Sequence, residues 1–263
     1  MSEDRRDFEG RVAVVTGGTQ GLGQNVALQI AGRGASGVVI TGRNEERGER
    51  VSAALRELGA KPLFVAVDLA DADAPFEVMR AADEAFGRVD VLANCAANPE
   101  RDEIWDSVPE FFDRMFAVNA RAPYFLMQGA ASIMRREDIR GTIVNVVSIS
   151  SHGGQPYISS YCASKGALAT MTRNVAHALL PNRIRVNGLN PGWMATPGED
   201  RTQRAFHGAG DDWLREAGED QPFGRLIDPK EAARAVVFLA SEESGLMTGA
   251  IVDYDQRVIG AYD

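Results

Sequence analysis

The residues best suited to proton transfer are Tyr161 and Lys165, in the segment Tyr161-Cys162-Ala163-Ser164-Lys165. Residues four apart share one face of a helix. A free tyrosine has a pKa near 10, and a neighbouring ammonium group favours the phenolate and lowers that pKa. Only three of the 263 residues are lysines, so the spacing is not expected by chance. The pair predicts an acid–base site near neutral pH; the alternative is a chance pair on an exposed helical face.

A second motif is suited to binding phosphate. The apolar run Val12-Ala13-Val14-Val15 leads into Thr16-Gly17-Gly18-Thr19-Gln20-Gly21-Leu22-Gly23, and an apolar-periodic stretch follows. This order predicts a buried strand, a glycine-rich turn and a helix. Glycines allow close backbone approach to a pyrophosphate, and the helix start offers free N–H groups. The strand before the turn and the helix after it supply the context that a dinucleotide site requires.

Taken together, these motifs resemble those of the classical short-chain dehydrogenase/reductase family, and the resemblance extends from about Gly10 to Val252. Ser148 lies thirteen residues before Tyr161, where the family has its active-site serine, and Asn119 matches the family's asparagine. The resemblance implies that Tyr161 is the acid–base residue, that Ser148 binds the reacting oxygen, and that Lys165 lowers the tyrosine pKa and binds the nicotinamide ribose. It also implies that Asn119 holds a water in a proton relay from Lys165. Taken singly, Ser148 is one of several nearby serines, and Asn119 could equally be a loop or helix-kink residue.

The same resemblance implies a nicotinamide dinucleotide cofactor. It assigns cofactor contacts to Gly17, Thr19, Gln20, Gly21, Leu22, Gly23, Arg43, Asp68, Leu69, Asn94, Ala96, Tyr161, Lys165, Pro191, Gly192, Met194 and Thr196.

The choice between NADP and NAD depends on the end of the second strand. An acidic residue there would bind the ribose hydroxyls of NAD, but this chain has Gly42 followed by Arg43. A guanidinium can pair with the 2′-phosphate of NADP. The sequence therefore favours NADP; the alternatives are an ordinary surface arginine and an NAD-linked enzyme of the same family.

Two segments depart from the family pattern. Ala97 stands where the family has a glycine after Asn94-Cys95-Ala96, and we expect a small backbone shift there. The last strand ends in Val252-Asp253-Tyr254-Asp255 rather than Val-Asp-Gly-Gly. These departures keep open a different class of function, a non-catalytic NADP(H)-binding sensor or scaffold.

Strand-like and helical segments alternate along the chain without a linker, which predicts one α/β domain over 1–263 with a Rossmann fold: a doubly wound parallel sheet of about seven strands flanked by helices. Strands are expected near 12–16, 37–41, 62–67, 89–94, 141–147, 183–189 and 250–253. Helices are expected near 21–33, 44–58, 72–86, 108–135, 157–179 and 229–240.

Composition argues against several function classes. The net charge of −9 disfavours nucleic acid and anionic membranes as partners. Three histidines and two distant cysteines, Cys95 and Cys162, provide no zinc spacing and are expected to bind no metal. The first six residues lack the apolar core of a signal peptide, and no apolar run is long enough for a bilayer. We therefore expect a cytoplasmic protein.

The substrate is the least determined feature. The resemblance makes 195–228 a lid over the substrate, and such loops carry specificity. This region and its neighbours supply aromatic and polar side chains, which favour a sugar or polyol; the alternative is that most of them face solvent. These side chains belong to His152, Gln155, Tyr157, Trp193, Glu199, Arg201, His207 and Trp213. The resemblance also implies a homotetramer, with a dimer as the alternative, built on 108–135 and 157–179.

Overall fold

Short β-branched segments form the sheet at the centre of the protein, which is described here for residues 6–258 of a computed structural model. The strands are β1 (Val12–Thr16), β2 (Gly37–Gly42), β3 (Lys61–Ala66), β4 (Val91–Asn94), β5 (Thr142–Val146), β6 (Arg185–Pro191) and β7 (Ile251–Tyr254). They lie in the order β3-β2-β1-β4-β5-β6-β7, and every pairing is parallel. The central strands are buried on both faces, as parallel strands covered by helices must be.

Helices cover both faces of this sheet. They are α1 (Gly21–Gly32), α2 (Glu45–Glu57), α3 (Ala74–Phe86), α4 (Pro109–Phe116), α5 (Ala122–Arg136), α6 (Ser159–Ala178), α7 (Pro197–His207), α8 (Trp213–Glu219) and α9 (Pro229–Ala240). Alternate residues of β1 enter different cores. Val15 packs with the layer of α1, α2 and α9, whereas Val14 packs with the layer of α3, α5 and α6.

The strand order reverses at β1. The chain proceeds from β1 to the β3 edge and then returns to place β4 on the other side of β1, with Thr16 beside Asn94. Ligands of such sheets bind in the crevice at the carboxyl ends of the strands where the order reverses. The prediction of a doubly wound Rossmann fold is confirmed.

Most predicted strand and helix boundaries lie within two residues of the observed ones, but the helix predicted over 108–135 is interrupted. A π-helical turn, Ala117–Arg121, separates α4 from α5, and the Ala122 N–H bonds the carbonyl of Ala117 five residues back. Pro123 has no N–H to continue the α-helical ladder. The interruption places Asn119 on the turn.

Two helices occupy the region predicted only as a lid. α7 begins at Pro197 after Thr196, whose hydroxyl accepts a 3.0 Å hydrogen bond from the Glu199 N–H. This is one of the two hydrogen bonds of a capping box, the one from the Glu199 N–H to the Thr196 side chain. The sequence Thr196-Pro197-Gly198-Glu199 carries the signal for it. α8 follows at Trp213. A lid function for 195–228 stays a prediction.

The prediction of a single domain over 1–263 stays a prediction, since residues 1–5 and 259–263 lie outside the described part of the chain. Most of the N-terminal segment that lacks the apolar core of a signal peptide also lies outside it. Between residues 6 and 258, no helix has both the length and the apolar character needed to cross a bilayer.

Candidate active site

The turn between β1 and α1 is shaped by two glycines. Gly17 has φ +64°, and a Cβ there would lie 2.9 Å from the Ala96 Cα. A Cβ on Gly23 would lie 2.4 Å from the Gly17 carbonyl oxygen, so α1 can lie this close to the turn only without a side chain. Gln20, the N-cap residue, does not cap α1 with its side chain, and the first turn of α1 has no acidic residue. The backbone N–H groups there suit a phosphate anion, which fits a dinucleotide cofactor.

The end of β2 has no space for an acidic side chain. A Cβ on Gly42 would lie 2.7 Å from both the hydroxyl oxygen and the methyl carbon of Thr19. Arg43 follows with its side chain 70% exposed, and its Nη1 lies 3.7 Å from Asp68 Oδ2. Asp68 also accepts a 2.9 Å hydrogen bond from Arg114. Burial raises the pKa of Asp68, but its hydrogen bonds and the two guanidinium groups outweigh burial and lower the pKa below its usual value.

Arg47 is a basic residue at this site that the sequence analysis missed. Its Nη1 donates to Gln20 Oε1 at 2.8 Å, and Arg201 of α7 donates to the same oxygen at 3.1 Å. The Nε of Arg47 is buried and has no hydrogen-bond partner among residues 6–258. A basic residue in the first turn of a helix opposes the helix dipole, which is the sequence signal that could have identified it.

Ser148, Tyr161 and Lys165 meet between the end of β5 and the start of α6. The Ser148 side chain faces the Tyr161 hydroxyl and lowers the pKa of that hydroxyl. Lys165 Nζ lies 5.7 Å from the centre of the Tyr161 ring and donates to the Val146 carbonyl at 2.8 Å. The predicted helical spacing therefore places a hydroxyl pair and a buried ammonium group at the carboxyl edge of the sheet.

The pKa of Tyr161 shifts in the direction opposite to the one expected from the Tyr–Lys pair alone. Burial raises it to about 12, although the Ser148 side chain and the charge of Arg101 lower it, while the charge of Glu199 raises it further. Burial lowers the pKa of Lys165 to about 8, so its ammonium form still predominates at pH 7. The expectation from sequence was wrong because spacing along the chain does not report desolvation, which disfavours both the phenolate and the ammonium form.

Asn119 is fully buried on the π-helical turn. Its Oδ1 accepts from the Asn98 N–H at 2.8 Å, while its Nδ2 donates to the Asn98 carbonyl at 3.0 Å and to Ser164 Oγ at 3.1 Å. Asn119 thus ties the segment after β4 to α6, and single π turns in helices are frequent at functional sites. The water relay assigned to Asn119 stays a prediction.

Asp102, also missed by the sequence analysis, caps α6 from outside. Ile158 at the N-cap of α6 makes no side-chain cap. Asp102, only 7% exposed, accepts from the Ser160 N–H at 3.1 Å, from the Ser160 hydroxyl, and from the Ser107 hydroxyl at 2.9 Å. Its carboxylate satisfies the helix start next to Tyr161.

A polar chain from the last strand supports Ser148. The Ser148 N–H donates to Asn190 Oδ1 at 3.3 Å, and Asn190 Nδ2 donates to Asp253 Oδ1 at 2.8 Å. His152 Nε2 lies 3.4 Å from the same Asp253 oxygen. Asp253 belongs to the C-terminal segment that departs from the family pattern. This segment therefore contacts Asn190, which in turn supports Ser148.

The remaining predicted cofactor residues lie near the carboxyl ends of the strands, and their contact with a cofactor stays a prediction. Leu22 and Leu69 are buried in the two cores, and Asn94 is buried and donates to Asn145 at 2.8 Å. The other residues lie after β4 or from the end of β6 to the start of α7: Ala96 beside Gly17, Pro191 at the end of β6, Gly192 against Asp255, Met194 bridged to Ile227, and Thr196 beside Gly21.

Ala97 is exposed, and its backbone lies outside the left-handed region that favours glycine. The small backbone shift expected there stays a prediction. In the described part of the chain, no three His, Cys, Asp or Glu side chains are grouped so that they could hold a metal ion.

Comparison with known proteins agrees with this geometry. The family model described as enoyl-(acyl carrier protein) reductase matches residues 17–256. The short-chain reductase protein NovJ of Streptomyces niveus is 34% identical over 93% of this chain and 92% of its own. A glucose and ribitol dehydrogenase homolog of Oryza sativa is also 34% identical, over 95% of this chain and 86% of its own.

A solved structure has the same fold. L-Sorbose reductase of Gluconobacter frateurii, complexed with NADPH and L-sorbose, has a TM-score of 0.90 and 27% identity over 99% of this chain and all of its own.

Proposed function

The chain belongs to the short-chain dehydrogenase/reductase family of oxidoreductases, and from this premise we propose that it transfers hydride between NADP(H) and an alcohol or carbonyl group of a sugar or polyol. The observation that carries the proposal is the buried Lys165 ammonium group, 5.7 Å from the centre of the Tyr161 ring, together with a Ser148 side chain that lowers the pKa of the Tyr161 hydroxyl. A protein that only senses NADP(H) has no need of this proton-transfer set.

The chain's own residues move the proton. In oxidation, Tyr161 as phenolate accepts the proton of the substrate hydroxyl; in reduction, neutral Tyr161 donates it to the developing alkoxide. Ser148 hydrogen-bonds the reacting oxygen and stabilises its charge. Lys165 supplies positive charge that favours the phenolate against burial. The bound nicotinamide supplies the hydride chemistry.

The glycine turn and the start of α1 would hold the cofactor's pyrophosphate, and Asp68 would bind its adenine. Arg43 supports the preference for NADP, because it is exposed and follows a Gly42 that has no space for a side chain. Arg47 adds a second guanidinium on the same side of the turn.

A cofactor titration tests this preference. NADPH and NADH are titrated by intrinsic fluorescence into the wild type, Arg43→Ala and Arg50→Ala. Arg50 is an exposed arginine of α2, so its loss matches the change in net charge. We expect NADPH to bind at least about tenfold more tightly than NADH, or ~1.4 kcal/mol, and only Arg43→Ala to remove this margin. Equal or tighter binding of NADH would make the enzyme NAD-linked.

Turnover tests the reaction itself. The names of the rice homolog and the sorbose reductase support a polyhydroxylated substrate, as do the aromatic and polar side chains beside Tyr161. We expect oxidation of ribitol or D-sorbitol with NADP⁺, or reduction of L-sorbose with NADPH. NADPH binding without turnover across a broad panel of alcohols and carbonyl compounds would favour the sensor instead.

We also propose a cytoplasmic homotetramer. Phe112 of α4 and Tyr124 of α5 are 43% and 41% exposed, which supports packing of this face against a second copy. Light scattering after size-exclusion chromatography would give the mass of four chains, against two for a dimer.

A further inference from the structure

Arg101 and Glu199 form an ion pair that the sequence analysis did not predict. Arg101 lies after β4 and Glu199 lies in the first turn of α7, yet Arg101 Nη2 and Glu199 Oε1 are 3.2 Å apart. Their side chains are only 14% and 13% exposed. Partly buried charges are costly unless they are paired and hydrogen-bonded.

The pair retains unused hydrogen-bonding capacity. Glu199 Oε1 also accepts from Trp193 Nε1 and Gln203 Nε2, each at 2.8 Å, whereas Glu199 Oε2 has no hydrogen bond within residues 6–258. Arg101 donates from Nε to His207, from Nη1 to the Pro99 carbonyl and from Nη2 to Glu199. A guanidinium has five N–H donors, so two remain.

Both charges act on the reacting centre. Arg101 directly precedes Asp102, whose carboxylate accepts from the N–H of Ser160, the residue before Tyr161. The charge of Glu199 raises the pKa of Tyr161 and that of Arg101 lowers it. Aromatic faces lie beside them. The Arg101 guanidinium carbon lies 5.9 Å from the Tyr157 ring centre, and Trp193 donates to Glu199.

We infer that Arg101 and Glu199 bind substrate hydroxyl groups adjacent to the reacting carbon and determine specificity for polyols. This inference rests on the proposed function. A hydroxyl can donate to a carboxylate and accept from a guanidinium at once, which matches the capacity left on the pair.

Other substrate classes fit the pair less well. A substrate carboxylate would be repelled by Glu199, and a hydrocarbon would displace water from both charges without replacing its hydrogen bonds. Sites built to hydrogen-bond a hydroxyl reject analogues that lack it much more strongly than apolar pockets reject an added group. The alternative is that the ion pair only holds the β4–α4 segment against α7.

The experiment compares D-sorbitol with cyclohexanol, using NADP⁺ and the wild type, Glu199→Gln, Arg101→Met and Arg101→Lys. Arg204→Met is the matched control, because it removes an exposed ion pair with Asp200 from the same helix. Thermal unfolding verifies that each variant folds.

We expect kcat/KM for D-sorbitol to fall about tenfold or more in Glu199→Gln and Arg101→Met, with less than about threefold change for cyclohexanol. Arg101→Lys should restore part of the loss, and Arg204→Met should affect neither substrate. Since Glu199 raises the pKa of Tyr161, Glu199→Gln should shift the oxidation profile to lower pH, and Arg101→Met should shift it to higher pH.

An equal fall for both substrates would make the pair structural and overturn the inference. Wild-type preference for cyclohexanol over D-sorbitol would overturn the polyol specificity and leave the oxidoreductase proposal intact. Absence of turnover with every alcohol and carbonyl compound would instead defeat the proposed function itself.

Discussion

The starts of α1 and α6 differ in what can accept hydrogen bonds from their free backbone N–H groups. Each helix begins at the carboxyl edge of the sheet, and neither Gln20 nor Ile158 caps its own helix with a side chain. At α1, a glycine turn and the lack of acidic residues leave the N–H groups suited to a ligand's phosphates. At α6, the buried carboxylate of Asp102 accepts a hydrogen bond from the Ser160 N–H.

The difference shows how one backbone feature serves binding in one place and catalysis in the other. A helix start whose backbone N–H groups can bind an anionic ligand serves as a binding site. A helix start whose N–H groups donate to a carboxylate of the same protein serves as a rigid support. α6 therefore can hold Tyr161 and Lys165 in place before any ligand arrives. Removing the Tyr161 hydroxyl should therefore affect turnover more than cofactor affinity, and changes at the start of α1 should affect cofactor affinity.

Tyr161→Phe should have the largest effect and makes the sharpest test of this contrast. It removes the only hydroxyl proposed to transfer the proton, so kcat/KM should fall about 10³-fold or more, near the upper range for acid–base catalysis. The NADPH dissociation constant should change little. A variant that loses cofactor binding as well would contradict the separation of the two helices.

Lys165→Met should stabilise the fold while abolishing activity. The pKa of Lys165 in the folded protein is about 8, below its usual 10.5, so the unfolded chain holds the proton more tightly. Wild-type stability should therefore rise as pH increases from about 8 to 10.5, and the full cost of the buried charge applies below pH 8. From this shift we expect a gain on the order of 1–3 kcal/mol at pH 7, less whatever the lost Val146 bond contributes.

Urea unfolding of the wild type and Lys165→Met at pH 7 and pH 9.5 measures this effect. The difference between the two proteins should shrink at the higher pH. A difference that grows with pH would show that burial does not depress the lysine pKa.

Gly23→Ala should strain the turn between β1 and α1. Its Cβ would lie 2.4 Å from the Gly17 carbonyl oxygen, and backbone on that side cannot rotate away as a side chain could. We expect a loss of about 1–3 kcal/mol, from strain in the turn, in the NADPH binding free energy or in stability. Calorimetric titration with NADPH and urea unfolding measure the two contributions.

Gly32→Ala is the matched control, because a Cβ at the end of the same helix meets no atom within 4 Å. It should leave NADPH affinity unchanged and stabilise the helix by ~0.5–1 kcal/mol. Equal effects of Gly23→Ala and Gly32→Ala on NADPH affinity and stability would show that the close approach of Gly23 to the Gly17 carbonyl oxygen is not the cause.

Among the variants expected to lower stability or activity, Asp102→Ala should have the smallest effect. Ser160 and Ser107 lose their acceptor, and the expected cost is about 1–2 kcal/mol of unfolding free energy. Asp102→Asn should cost less, since its amide oxygen can still accept from the Ser160 N–H. Turnover should fall in Asp102→Ala by more than NADPH affinity; the reverse order would show that Asp102 supports the cofactor side.

Much of the fold was predictable because its signals are local. Val12–Val15 and the alternating segments after it predict buried parallel strands from residue type alone, and glycine positions predict the turn before α1. The π turn at Ala117–Arg121 was not predicted, since helical periodicity continues through it and only Pro123 marks the break. α7 was missed, although Thr196 and Glu199 carry a capping signal.

The candidate site likewise contains residues that local sequence signals predicted and residues that they did not. Ser148, Tyr161 and Lys165 were predicted as a set and lie together, because the tyrosine and lysine share a helical face and the serine ends a neighbouring strand. Asp102, Arg101 and Arg47 were missed, since each makes its key contact with a residue distant in the chain.

The sequence by itself determined the order of strands and helices, the glycine turn, and the presence of a tyrosine and a lysine on one face of α6, because these depend on local backbone preferences and spacing. Only the tertiary structure decided that burial raises the pKa of Tyr161, that Asp102 caps α6, and that Arg101 meets Glu199 beside the tyrosine. The physical reason is that desolvation and Coulomb interactions depend on distances through space, which spacing along the chain does not encode.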